Sequence, residues 1–128
     1  MIHQAGGIAV APHAFRWWSG LGEANVRGKG FDAIEVINGK SKDRANRRAR
    51  RLAEQLGLPG VGGSDAHDIP AVGRAYTEVP DGCQDPGAIL QAIREKRCEA
   101  KGAGRSRWTL GVGLNGIYRF FRRGFRRL

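Results

Sequence analysis

The chain has 128 residues and a formal net charge of +10, from 22 Lys and Arg against 12 Asp and Glu. This length suits one domain with a modest core, the 41% apolar share excludes wholesale disorder, and the charge calls for an anionic partner or substrate without naming one. Cys83 and Cys98 have neither CxxC nor Cys/His ribbon spacing, which argues against a disulfide scaffold or a zinc knuckle and fits a reducing cytoplasm. No apolar stretch reaches bilayer length, and residues 1–4 are too short and polar for a signal peptide.

Gly6-Gly7 leads into the continuous apolar run 8–11, the pattern of a strand buried on both faces of a parallel sheet, which stops at Pro12-His13. A β-branched run at 31–37 predicts a second strand that contains Glu35 and closes at the turn dipeptide Asn38-Gly39. From 41 or 43 to 56, Ala45, Ala49, Leu52, Ala53 and Leu56 recur at helical spacing with arginines opposite, and Gly57 and Pro59 mark the stop. Residues 58–63 predict a short buried strand that delivers Ser64-Asp65-Ala66-His67 to its end, and 72–79 an extended piece.

Asp85-Pro86 starts a further helix as N-cap and first helical residue; Ile89, Leu90 and Ile93 are its expected buried stripe, and it should fade near Arg97. Residues 102–107 resemble a linker. The predicted final helix places Leu114, Ile117, Tyr118, Phe121, Phe125 and Leu128 on one face and Arg119, Arg122, Arg123, Arg126 and Arg127 on the other. Alternating buried strands and amphipathic helices mean an α/β architecture with ligand sites at strand C-termini, where His13, Asn38, Asp65 and His67 all fall.

Asp65 and His67 stand two apart in the Gly-rich Gly62–His67 segment, so a tight turn would let a carboxylate and an imidazole face one cation; that donor pair suits zinc, manganese or iron better than calcium. Alone, the triplet is served as well by an Asx turn and a surface histidine. His13, also at a buried strand end, adds a third candidate ligand, and Glu35 either supports those ligands from behind, joins them as a ligand, or is a satisfied structural acid. No Gly-x-Ser-x-Gly elbow, Cys/His pair or GxxxxGK[ST] loop is present, and Ser64 is better placed to shape its turn than to act as a nucleophile.

The blocks GGIAVAPHAF, FDAIEVIN, GLPGVGGSDAH and AVGRAYTEV, in this order over residues 5–80, resemble the closing half of a metal-dependent phosphoesterase of the PHP (polymerase and histidinol phosphatase) family. The resemblance implies a distorted (β/α)7 barrel, of which residues 1–101 would form the C-terminal part and 102–128 a linker and basic helix. It implies two or three divalent metals in a complete member, with His13, Asp65 and His67 as ligands and Asp65 and His67 in the catalytic role. Arg16 matches a basic position that contacts substrate phosphate, and Asn38 a polar position at a strand end. Ala14 stands where the family has proline, and the family's opening H-x-H pair and its next ligands would belong upstream of residue 1.

The resemblance implies hydrolysis of a phosphorylated small molecule or nucleotide by metal-activated water. It also implies fewer metals and little turnover from residues 1–128 alone. Open sheet edges would favour homo-oligomers. The competing readings are a basic module for nucleic acid or an anionic membrane, through residues 44–51 and the five C-terminal arginines, and an inactive PHP remnant.

Overall fold

The computed structural model describes residues 1–105. The predicted C-terminal helix with its arginines lies outside the described residues. Three parallel strands, β1 (Val10–Ala11), β2 (Ala33–Asn38) and β3 (Gly60–Gly63), run side by side in that order, so β2 is central. Its Ala33–Val36 stretch is buried throughout, as a strand covered on both faces must be.

Helix α1 (Asp43–Leu56) joins β2 to β3 and turns Ala49, Leu52 and Ala53 onto one face of the sheet, where they meet Ala11, Val26, Ile34 and Val36. It ends at Gly57, whose left-handed backbone directs its N–H back to the Glu54 carbonyl. On the other face Ile93, from helix α2 (Pro86–Arg94), packs on Ala33 and Val61. Asp85 caps α2, accepting the Ala88 N–H at 2.9 Å.

Strands β4 (Ala75–Glu78) and β5 (Glu99–Gly102) form a separate antiparallel pair. They reach the parallel sheet through a side chain: the Thr77 hydroxyl donates to the Gly62 carbonyl at 2.9 Å and accepts the Gly62 N–H at 3.0 Å. A Cβ on Gly62 would collide with the backbone carbonyl of Tyr76, so glycine is required for this approach.

The α/β class and the strand–helix–strand order 33–63 match the sequence reading; several details differ. Among the described residues there is no closed barrel, because the parallel run of β1–β3 gives way to the antiparallel β4–β5 pair. The first strand shrinks to two residues, and α2 ends at Arg94 with Ile89 exposed while Ala92 and Ile93 do the packing. β5 lies between the expected end of α2 near Arg97 and the expected linker, overlapping the linker only at Gly102; Glu99-Ala100-Lys101-Gly102 has no apolar alternation to announce a strand, and backbone pairing with β4 makes it one.

A hydrogen-bonded carboxylate anchors the start of the sheet. Asp32 Oδ2 accepts the Ala9 N–H at 2.6 Å and lies 2.7 Å from His3 Nε2. The Ala9 N–H first, then His3, hold this carboxyl below its ordinary value of 3.8. The folded state therefore binds fewer protons than the unfolded state in that window, so Asp32 stabilises fully above the ordinary value, and its contribution fades as pH falls through the folded value. Asp32→Asn, which keeps an acceptor for Ala9, should unfold at lower urea than the parent at pH 7, and the gap should narrow as pH falls below 3.8; a gap independent of pH would contradict this role.

Candidate functional site

The C-terminal ends of the three parallel strands deliver the candidate side chains. His13 lies two residues past β1, Asn38 closes β2, and Asp65 lies two residues past β3. Regular alternation would send Glu35 and Asn38 to opposite faces of β2. A register shift between Glu35 and Ile37, where β2 has one more residue than β3, turns Ile37 toward the α1 face and brings Asn38 round to Glu35.

The resulting polar set is connected. Glu35, 9% exposed, accepts the backbone N–H of His13 at 2.6 Å and the Asn38 side-chain amide at 3.1 Å through the same oxygen, Oε2. Asn38 Nδ2 also lies 3.3 Å from Asp65 Oδ2, and Arg16 Nη1 donates to that oxygen. Asn38 is fully buried, and its Oδ1 accepts the N–H groups of Lys40 and Ser41, so it fixes the turn after β2 as well as the acids beside it. Asn46, on the first turn of α1, brackets the Asn38 backbone, accepting its N–H and donating to its carbonyl.

Burial pushes the Glu35 carboxyl above its ordinary value of 4.5, against the opposing pull of the His13 N–H and the Asn38 amide; the nearby Asp65 charge pushes the same way as burial. A side chain at Gly63 would strike this carboxyl, so the strand passes it as bare backbone. His13 and Asp65 are two of the three non-glycine residues with positive φ among the described residues, at 31° and 49°. Such backbone costs about 1 kcal/mol or more per residue and persists where the surroundings over-determine it. Here the Glu35 bond to His13 and the Arg16 and Asn38 bonds to Asp65 do so.

The sequence-derived ligands come out unequal. Burial encloses His13 Nδ1 without a hydrogen-bond partner. His67 is two-thirds exposed, with Nδ1 3.0 Å from the Asp65 carbonyl and 3.6 Å from Asp65 Oδ1. Among the described residues, no group of three or more His, Cys, Asp and Glu side chains is arranged to hold a metal ion. The expected triad of His13, Asp65 and His67 is thus not assembled as a closed set, because Arg16 and Asn38 engage the Asp65 carboxylate and His67 turns to its own loop.

The donors fit a divalent metal in kind, an unpartnered imidazole nitrogen and a carboxylate, and fit it in part only. Arg16 pairs with Asp65 instead of lying free as a solvated charge, and Asn38 is enclosed with its amide committed to the two acids. Sequence reasoning did not find Asn46, because a polar residue on the first turn of a helix gives no sign that its amide turns back to a strand end.

With the strand-end geometry established, comparison with known proteins adds a family. Residues 43–98 match the family model described as PHP-associated (PHP_C). That likeness covers the middle of the chain, short of half its length. The matched segment holds Asp65 and His67, whereas His13 and Arg16 precede it. Among solved structures, the crystal structure of PsfC from Pseudomonas syringae PB-5123 is similar, with 31% identity and a TM-score of 0.58 over 91% of this chain. That alignment covers 48% of PsfC, so this chain spans about half the length of that structure. No curated protein matches. Among the described residues, no helix is long and apolar enough to cross a membrane.

Proposed function

We propose that this chain supplies part of the site of a metal-dependent phosphoesterase, in which water cleaves a phosphate monoester. The observation behind this reading is the placement of His13, Glu35, Asn38, Asp65 and Arg16 in one polar set at three adjacent strand ends, with a buried imidazole nitrogen lacking any partner. His13 and Asp65 would hold the metal, with His67 next to them at the rim. A divalent cation bound there offsets phosphate charge and makes water more acidic.

The remaining roles belong to the chain itself. Glu35 and Asn38 hold His13 and Asp65 in their strained turns. Arg16, already beside Asp65, presents a planar donor fork that matches phosphate oxygens once a cation replaces it at the carboxylate. Further ligands must come from outside the described residues, since those within them form no closed cluster.

The full chain incubated with manganese or zinc should retain at most one metal per chain, lose it in Asp65→Ala and His13→Ala, and hydrolyse an aryl phosphate close to background. Robust metal-dependent hydrolysis abolished by Asp65→Ala would overturn the partial-site view. Metal binding indifferent to both substitutions, with salt-sensitive binding to nucleic acid, would overturn the phosphoesterase reading in favour of a basic binding module.

A further inference from the structure

An open cleft of about 390 Å³ lies between α1 and the loop after β1. Arg44, Arg48 and Arg51 recur at i, i+4 and i+7, so they share one helical face and span about 10 Å along it. Leu52 lines the cleft from the buried side, and Phe15 forms its opposite wall. The Arg48 guanidinium lies 4.3 Å from the centre of the Phe15 ring, a stacked position that holds this long side chain over the cleft.

The charge in the cleft is uncompensated from within. Its acidic member, Glu23, is taken by Arg27 at 2.7 Å, and Arg27 in turn bonds Gln55 at 2.8 Å. Among the described residues none of Arg44, Arg48 and Arg51 forms an ion pair, and like charges one turn apart disfavour the helix that bears them. Phe15 is also the residue immediately before Arg16, whose guanidinium contacts Asp65, so one short piece of backbone supplies a side chain to the cleft and one to the strand-end site.

We propose that the Arg44–Arg48–Arg51 cleft is a phosphate-binding subsite that holds a second, uncleaved phosphate of the ligand whose first phosphate reaches Arg16 and Asp65. The subsite stands on its own geometry; the assignment of the other phosphate rests on the phosphoesterase reading. Guanidinium groups suit this task because they remain charged and bind phosphate oxygens in pairs. A ligand with two phosphates has two chemical sources, a small bisphosphorylated molecule or a stretch of oligonucleotide.

The test is titration of the full chain, in EDTA so that no metal takes part, with inorganic pyrophosphate and with a 5′-phosphorylated ten-nucleotide single strand. The double substitution Arg48→Ala with Arg51→Ala should weaken binding of at least one probe tenfold or more. Arg47→Ala with Arg50→Ala removes the same charge from the same helix outside the cleft and should change affinity less than threefold. Alanine favours helix, and far-UV circular dichroism verifies that both proteins are folded.

Loss confined to the first pair upholds the subsite. Pyrophosphate sensitivity then assigns it to small ligands, and sensitivity of the oligonucleotide alone assigns it to nucleic acid. Equal losses in the two pairs, or no loss in either, overturn the proposal and leave a diffuse basic surface. Because the titration excludes metal, failure of the phosphoesterase reading, seen as metal content indifferent to Asp65→Ala, is a separate result.

Discussion

Asn38→Leu should destabilise the chain by about 3 kcal/mol or more, since it strips partners from several buried groups, each worth about 1–3 kcal/mol when left unsatisfied. The Lys40 and Ser41 N–H groups lose their acceptor, and the Glu35 and Asp65 carboxyls lose a shared donor, all around a residue with no exposed surface. Against a total stability of typically about 5–15 kcal/mol, that loss is large. Asn38→Asp separates the two halves of the role. It retains an acceptor for Lys40 and Ser41 but sets a third carboxyl against Glu35 and Asp65, so it should be much less stable than the parent at pH 7 and recover part of the deficit in acid, where carboxyls protonate. Urea unfolding followed by circular dichroism measures both. An Asn38→Leu protein within about 0.5 kcal/mol of the parent, the usual range for an inconsequential surface change, would show that Asn38 does not organise these strand ends.

Asp65→Asn should lower the affinity of the full chain for zinc or manganese by more than about 100-fold, beyond the ~10–100-fold typical of residues that only support a ligand. Asparagine is the informative choice because it tolerates the left-handed backbone found at this position, with φ of 49°, and can still accept from Arg16. What it removes is the charge that a cation needs. Glu35→Gln, by comparison, keeps an acceptor for the His13 N–H and should cost about tenfold, the effect of a positioning group. Equilibrium dialysis of the parent and both variants gives the ranking, and equal affinities across the three would remove Asp65 from the site.

The sequence reading caught what depends on local pattern. Helix α1 ran as expected to Leu56 because its alanines and leucines recur at helical spacing, and the start of α2 was legible because Asp85-Pro86 states a cap and a first turn together. The candidate residues were legible because His13, Asn38 and Asp65 each follow or close a buried run, and parallel strand ends lie side by side. The partnerships among them were not. A one-residue register shift near Val36 decides that Glu35 and Asn38 face each other, and nothing in the composition of FDAIEVIN signals a bulge. The Arg16–Asp65 pair spans 49 residues, and the Thr77 contact with Gly62 joins two sheets through one hydroxyl. Strand β5 exists by pairing rather than by hydrophobic alternation, so its residues carry no strand signal in the sequence.

The chain contains three histidines, which makes the central claim directly measurable. His3 pairs with Asp32 at the opposite end of β2 from Asn38, six residues or about 20 Å along an extended strand, and serves as an internal reference. Imidazole 15N chemical shifts of the full chain, recorded as zinc is added, should move for His13, with His67 following to a smaller extent, while His3 stays fixed; Asp65→Asn should suppress the movement. A titration in which His13 remains unchanged while zinc binds elsewhere would contradict the assignment of the strand ends as a metal site.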